Sequence, residues 1–363
     1  MTNPFLDNDN SLLTSLLISI NKKLILIPLC LMLIGIFAIF SLMSPKSDLS
    51  LMKHLFHCSI SLLIFFMIII PKKNQLKTIL NFSLFFFLLL LIYTHFNGDS
   101  ANNSKRWMTV FGFSIQPSEF LKGPFICFIS WFFYLSLKNH NYKFLFIPIL
   151  FFLLIILLIA KQPDLSTSMF FFISFSLLFI LYIRNVKLIS ILAFFCFSYL
   201  GIMFVLKPHV KARFIGFVNN TSSQVKDSID AIINGGFFGM GLGEGQLKYE
   251  IKENHNDFIY SVIIEEVGIL FGILIIFLYP LYLYLVIKAS NSIDNLFLKN
   301  TVFTLAFMTC FQAFINISTS IGLFIPTGMP LPFVSDGGSS LLSYAIIFGT
   351  VVNFTKYEKS PLN

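Results

Sequence analysis

The chain has 363 residues, of which 56% are hydrophobic and only 12% charged, too little polar surface to cover a water-soluble globule of this size. Its net charge of +8 does not point to nucleic acid, because the basic residues sit in short segments between apolar runs. A bilayer is the solvent this composition demands, and crossing its roughly 30 Å of hydrocarbon takes about 20 apolar residues per helix.

In chain order, the apolar stretches are 24–43, 50–71, 77–96, 117–137, 143–160, 165–183, 187–206, 258–287, 297–321 and 337–355. They predict an all-α polytopic membrane protein of about ten transmembrane helices. Residues 1–23 and 356–363 flank the membrane domain, and a large loop, 207–257, separates the seventh helix from the eighth. With the amino terminus in the cytoplasm, the inner segments hold Lys22, Lys23, Lys72, Lys73, Lys77, Lys138, Lys143, Arg184, Lys187, Lys288, Lys299, Lys356 and Lys359. The short outer ones hold only Lys46, Lys105, Arg106 and Lys161. The positive-inside rule therefore puts both termini in the cytoplasm of a cell with an inner membrane. No basic n-region or cleavage site marks the first twenty residues, so no removable signal peptide is expected. Cys30, Cys58, Cys127, Cys196 and Cys310 all fall in apolar spans without a Cys-x-x-Cys pair, which argues for helix packing over metal clusters or disulfides.

Three outer segments, 97–119, 207–257 and 322–340, are rich in Gly, Pro and charge. Irregular backbone near membrane depth is tolerated only against protein or a watery cavity, so the three are expected to build one polar site. In SKRWMTVFGFSIQPSEFLK, Arg106 stands beside Trp107 at the membrane surface, as a snorkelling side chain or as a guanidinium suited to a diphosphate. Pro117 opens a helix on which Glu119 and Lys122 share a face, either as a structural ion pair or as cavity groups. In AKQPDLST, Asp164 reads as a helix cap or a functional acid. The run NGGFFGMGLGEGQLK lacks the preceding strand and the Gly-Lys-Ser/Thr ending of a nucleotide loop, and its glycines are read as points of close backbone approach. Asp257 stands at the start of the next span beside His255, with Ser261 and Glu265 at i+4 and i+8 on what is read as one interior face, and Glu266 beside them. A carboxylate placed there suits a general base; its bland alternative is a cap. The stretch IPTGMPLPFVSDGGSSLLSY reads as a re-entrant wall or a connector.

In this order, KRW with QPSEFLK, QPDL, GGFFGMGLGEG, HNDFIYSVIIEEVG and PLPFVSDGGSS resemble the SEDS family (shape, elongation, division and sporulation) of peptidoglycan polymerases typified by FtsW and RodA. The resemblance spans roughly residues 20–355, nearer FtsW in GEGQLK and QPSEFLK and nearer RodA in PTGMPLPF. Two positions depart from the family pattern: Ser166 stands for a glycine after PDL, and Asp336 for a tyrosine before GGSS.

The resemblance implies glycosyl transfer from lipid II with release of undecaprenyl diphosphate, and a class B penicillin-binding protein transpeptidase, with other division or elongation proteins, as partners. On that basis Asp257 is the expected catalytic base. Arg106, Lys122, Glu119, Asp164, His255 and Ser339 are the expected substrate contacts, with Arg106 steadying the diphosphate. Carboxylate and diphosphate oxygens suit Mg or Mn, although no ligand cluster in the sequence demands a metal. The chief rival is a lipid-precursor transporter, which Glu265 and Glu266 inside a span keep in play; a non-catalytic scaffold is the third reading.

Overall fold

The computed structural model describes residues 20–42, 51–101, 104–110, 112–162, 164–183, 185–219 and 222–357. Lys46, Pro163, Arg184, Lys359 and most of the two flanking segments lie outside them. The helices of the first half are α1 (Lys22–Ser41), α2 (Leu51–Ile69), α3 (Lys73–Asn97), α4 (Pro117–Lys138), α5 (Phe146–Lys161), α6 (Leu165–Ile183) and α7 (Val186–Leu206). Those of the second half are α8 (Pro208–Val218), α9 (Ser223–Gly235), α10 (Ile259–Val267), α11 (Ile269–Ser290), α12 (Leu296–Ser320) and α13 (Gly338–Phe354). Among the described residues, eight helices are long and apolar enough to cross a membrane. The segment around α7 and α8 is a pair bent by 94°, and α13 is apolar but has only 17 residues. The chain is thus a polytopic helical membrane protein.

Local signals start and stop these helices. The Asn21 and Asn295 side chains accept from the backbone N–H of Lys23 and Phe297 at 3.2 and 3.0 Å, capping α1 and α12. Asn353 Nδ2 donates to the carbonyls of Ile68, Ile69 and Pro71 at 2.7–3.1 Å, satisfying the open end of α2 and locking α13 onto it. Helix α4 is buried along most of its length and forms the centre of the bundle.

The structure corrects the sequence reading in three places. The first outer segment is a small antiparallel sheet, β1 (Asp99–Ala101), β2 (Ser104–Val110) and β3 (Phe113–Ile115), in the order β1-β2-β3. Residues 104–110 carry the aromatic and β-branched side chains that favour a strand, and Gly112 at φ +80° helps close the turn into β3. The second segment, read as a loop, contains α8 and α9. The span expected at 258–287 is broken at Gly268, φ +93°, into α10 and α11.

That break has a steric origin. The loop after α9 crosses the junction so closely that a Cβ on Gly268 would stand 2.3 Å from the Phe237 carbonyl oxygen. A Cβ on Gly235 or Gly239 would stand 2.2 Å from the carbonyl oxygens of Ile264 and Glu266. Ile269 N–H donates to Gly236 O at 2.9 Å and Met240 N–H to Glu265 O at 2.8 Å. The glycines therefore serve close backbone approach, as expected of them.

Glu265 and Glu266 belong to this crossing. Glu265 accepts from the backbone N–H of Gln246, Leu247 and Lys248 at 2.7–3.1 Å and from Asn234 Nδ2 at 2.9 Å. Glu266 accepts from Gly243 N–H at 2.5 Å and pairs with Lys248 Nζ, which also donates to Ser41 O at the end of α1 at 2.7 Å. Ser261 meets Ser228 instead. The expected common face of Asp257, Ser261 and Glu265 is therefore not formed: α10 starts at Ile259, after Asp257, and the three side chains go to different partners. Gly239→Ala, with φ +81° and a backbone clash, should cost roughly 2–5 kcal/mol from strain and overpacking. Gly243→Ala, with φ +82° and open space, should cost only the strain, roughly 1–3 kcal/mol; thermal unfolding in detergent ranks the two.

Candidate active site

The described residues of segments 98–116, 162–164, 207–268 and 321–337 gather at one end of the bundle and enclose a polar cavity of about 400 Å³. Arg106, Glu119, Asp164, His255, Asp257 and Ser339 all line it. Of the residues expected there, only Lys122 lies off its wall. It is buried one helical turn below Glu119, 2.7 Å from that carboxylate and 3.1 Å from Gln312 Oε1. The pair holds α4 to α12, the structural alternative for Lys122, while Glu119 reaches the cavity from above.

Strand β2 carries Arg106 to the cavity. Its Nε donates to Gln162 O at 2.8 Å and its Nη1 lies 3.5 Å from Asp164 Oδ2. Asp164 performs both of its candidate roles. Oδ1 accepts from Thr167 N–H at 3.0 Å and Ser166 Oγ at 2.8 Å, capping α6, while Oδ2 takes Arg106 and Gln116 Nε2. Burial pushes this acid up, but Arg106 and the bonds from Thr167 and Ser166 outweigh it and hold the carboxyl below its ordinary value. Ser166, where the family usually has glycine, is thus a ligand of the cap. Ser339 Oγ accepts from Gln116 N–H at 3.0 Å and fixes the residue before α4.

Asp257 is held by backbone. Glu253, at φ +58°, a conformation uncommon for a side chain of its size, starts a turn in which its carbonyl accepts from the N–H of Asn256 and Asp257 at 3.1 and 3.0 Å. Asn316 Nδ2 on α12 donates to Asp257 O at 2.9 Å and to Met329 O at 2.8 Å. Gln312 Nε2 donates to Pro330 O, Ser335 Oγ to Asn256 O, and Asp336 N–H to His255 O. The 329–335 stretch is therefore buried irregular backbone tied to the Asp257 turn, a wall and not a plain connector. The Asp257 carboxylate itself takes no hydrogen bond from the described residues, and its Oδ1 is a buried atom without a partner. Burial pushes it up, Glu253 and Asp164 add to the rise, Arg213 opposes it, and the acid comes to about 7. An acid poised there exchanges protons at neutral pH.

Three groups were missed in the sequence. Arg213 on α8 lines the cavity; the only hint is a basic residue in an outer segment. Gln116 links Asp164 to Ser339. His54, a single imidazole in an apolar span, pairs with Asp336 at 2.8 Å. Burial raises the Asp336 carboxyl, but the hydrogen bond from His54 and the neighbouring histidines outweigh it and hold the acid below its ordinary value. Among the described residues no three His, Cys, Asp or Glu side chains converge as a metal cage. Cys30, Cys58, Cys127 and Cys310 are unpaired thiols; the Cys196 side chain lies outside the described residues.

A second cavity, about 530 Å³ and walled largely by Leu165, Met169, Phe204, Phe214 and Phe324, opens beside the polar one. Arg106, Asp164, Ser166, Arg213 and Thr327 line both. The site is therefore amphiphilic, with charged groups on the seam and a carboxylate on the polar side.

The sequence profile of the cell cycle protein family of FtsW, RodA and SpoVE matches residues 17–360. A probable peptidoglycan glycosyltransferase FtsW of Borreliella burgdorferi is 34% identical over 285 residues, 74% of this chain and 76% of that protein. One of Caulobacter vibrioides is 31% identical over 263 residues, 72% of this chain and 67% of that protein. A chain of a peptidoglycan synthase complex solved to show the structural coordination of polymerization and crosslinking superimposes with a TM-score of 0.76 at 21% identity, over 93% of this chain and 98% of that one, which shows a shared fold. A hydrophobic carbodiimide attacks protonated carboxyl groups. Its labelling of Asp257, read by mass spectrometry, should fall with rising pH with a midpoint near about 7, while Asp164 stays unlabelled across the same range.

Proposed function

This chain belongs to the FtsW, RodA and SpoVE family of cell cycle proteins, and on that premise we propose that it is a peptidoglycan glycosyltransferase. It polymerises lipid II at the outer face of the inner membrane, in septal division. The observation that carries this reading is a carboxylate without hydrogen-bond donors, poised near neutrality, on the polar side of a site whose other side is apolar. That arrangement suits a substrate with a sugar head, a diphosphate and a long lipid. The names of the FtsW relatives, probable peptidoglycan glycosyltransferases, support the activity.

Asp257 accepts the proton of the acceptor sugar's 4-hydroxyl as that oxygen bonds to the donor's anomeric carbon. The bond from that carbon to the diphosphate breaks, and the electron pair leaves with the carrier lipid, beside Arg106. Glu119, Asp164, His255 and Ser339 shape and fill the polar wall, and Lys122 keeps Glu119 in place. A divalent cation, if one takes part, would have to draw ligands from the diphosphate as well as from the Asp257 side of the cavity. The chain crosses the membrane ten times, counting the bent pair and α13, with both termini cytoplasmic and the cavity on the outer side. A class B penicillin-binding protein is the proposed partner, in keeping with the complex of like fold, which coordinates polymerization and crosslinking. The transporter reading loses its main support, because Glu265 and Glu266 are engaged in holding the loop.

Purified protein with its transpeptidase should convert lipid II to glycan strands resolved by gel. Asp257→Asn should reduce the rate by at least about 10²-fold, the lower range for a lost general base. Arg106→Ala should reduce it by about 10-fold or more through lost charge-assisted bonds. Wild-type protein that moves lipid II across vesicles and makes no glycan would contradict the proposal.

A further inference from the structure

Two cationic side chains reach the seam between the polar and apolar cavities, Arg106 from β2 and Arg213 from α8. Their circumstances differ. Arg106 sits against Asp164 and the Gln162 carbonyl, so much of its charge is already answered by protein. A lipid diphosphate brings a negative charge on each phosphoryl group, and more once the glycosyl bond breaks. Arg106 alone is a poor match for that load.

Arg213 is not so engaged. It makes no ion pair among the described residues; its hydrogen bond runs from Nη1 to Pro326 O at 3.3 Å, and the residue is exposed where it lines both cavities. The chain puts it there by a defined bend. Lys207 is extended, with φ −112° and ψ 100°, as a residue before proline prefers, and Pro208 then opens α8 in a new direction. The axes on either side of this break differ by 94°, so α8 lies across the end of the bundle. The field of Arg213 also reaches Asp257, whose rise it opposes, placing cation and base on one cavity.

We propose that Arg213 is a second diphosphate-binding residue, holding the donor's diphosphate from the α8 side while Arg106 holds it from the sheet. The proposal rests on the reading of a lipid diphosphate substrate. It adds a consequence: a diphosphate bound at Arg213 offsets the cation that opposes proton uptake by Asp257, so donor binding makes the base stronger. A planar fork suits the task, since arginine grips phosphate oxygens in pairs where lysine offers a point charge.

The test is binding of undecaprenyl diphosphate, with undecaprenyl monophosphate as comparison, to the full-length protein in detergent, followed by tryptophan fluorescence. Arg213→Gln should weaken diphosphate binding by about tenfold or more, the effect of a lost charge-assisted pair, and monophosphate binding by less. Arg213→Lys, which keeps the charge and loses the fork, should fall between wild type and the Gln variant, with unfolding temperatures unchanged. Equal diphosphate affinity in wild type and Arg213→Gln, or a Lys variant as weak as the Gln variant, overturns the assignment and leaves the polymerase reading standing. Wild-type protein that neither binds the diphosphate nor makes glycan overturns both.

Discussion

A charged group at membrane depth must find a partner, because low dielectric makes an unanswered charge costly. The end of the bundle that holds the cavity is organised by that requirement. Glu266 is answered by Lys248 and a glycine amide, Glu265 by three amides and Asn234, Glu119 by Lys122, Asp336 by His54, and Asp164 by Arg106 and the start of α6. All but the Glu119–Lys122 pair, which lies within α4, also tie separate segments together. Asp257 is the exception. Its backbone is anchored from α12 and the wall, while its carboxylate is left without a donor. The sites that hold the fold and the site that can take a proton are thereby distinct.

The same contrast explains how the glycine-rich run serves the site without touching substrate chemistry. Its backbone threads past α10 and α11 at distances only glycine permits, and its amides neutralise Glu265 and Glu266. That closes off α10, whose preceding turn carries Asp257. The run thus acts through placement, and the acids that could have marked a transport path are part of a clamp.

Much of this was legible in the sequence, for identifiable reasons. Apolar runs of span length follow directly from bilayer thickness, and the polar residues that interrupt them at one end converge because irregular backbone has nowhere else to go. Arg106, Asp164, His255, Asp257 and Ser339 stand on one cavity wall, as that reasoning expects, and the family profile matches residues 17–360. Hidden were features set by contacts remote in sequence. The break at Gly268 depends on a loop some thirty residues earlier crossing it. The helices in 207–257 are short, 11 and 13 residues, and Arg213 becomes a site residue only because the chain bends at Pro208. His54 meets Asp336 across 282 positions. Nothing local announces such a pair.

The measurement that bears most directly on this account sets stability beside activity for four carboxylates, through Asp164→Asn, Asp257→Asn, Glu265→Gln and Glu266→Gln, each assayed for thermal unfolding and for glycan synthesis from lipid II. The account predicts that Asp257→Asn unfolds at or above the wild-type temperature and loses synthesis by at least about 10²-fold, that Glu265→Gln and Glu266→Gln unfold at lower temperatures and retain synthesis in proportion to the folded fraction, and that Asp164→Asn, which releases Arg106, loses both stability and synthesis. An Asp257→Asn protein that still polymerises, or one that is silent only because it has unfolded, would contradict it.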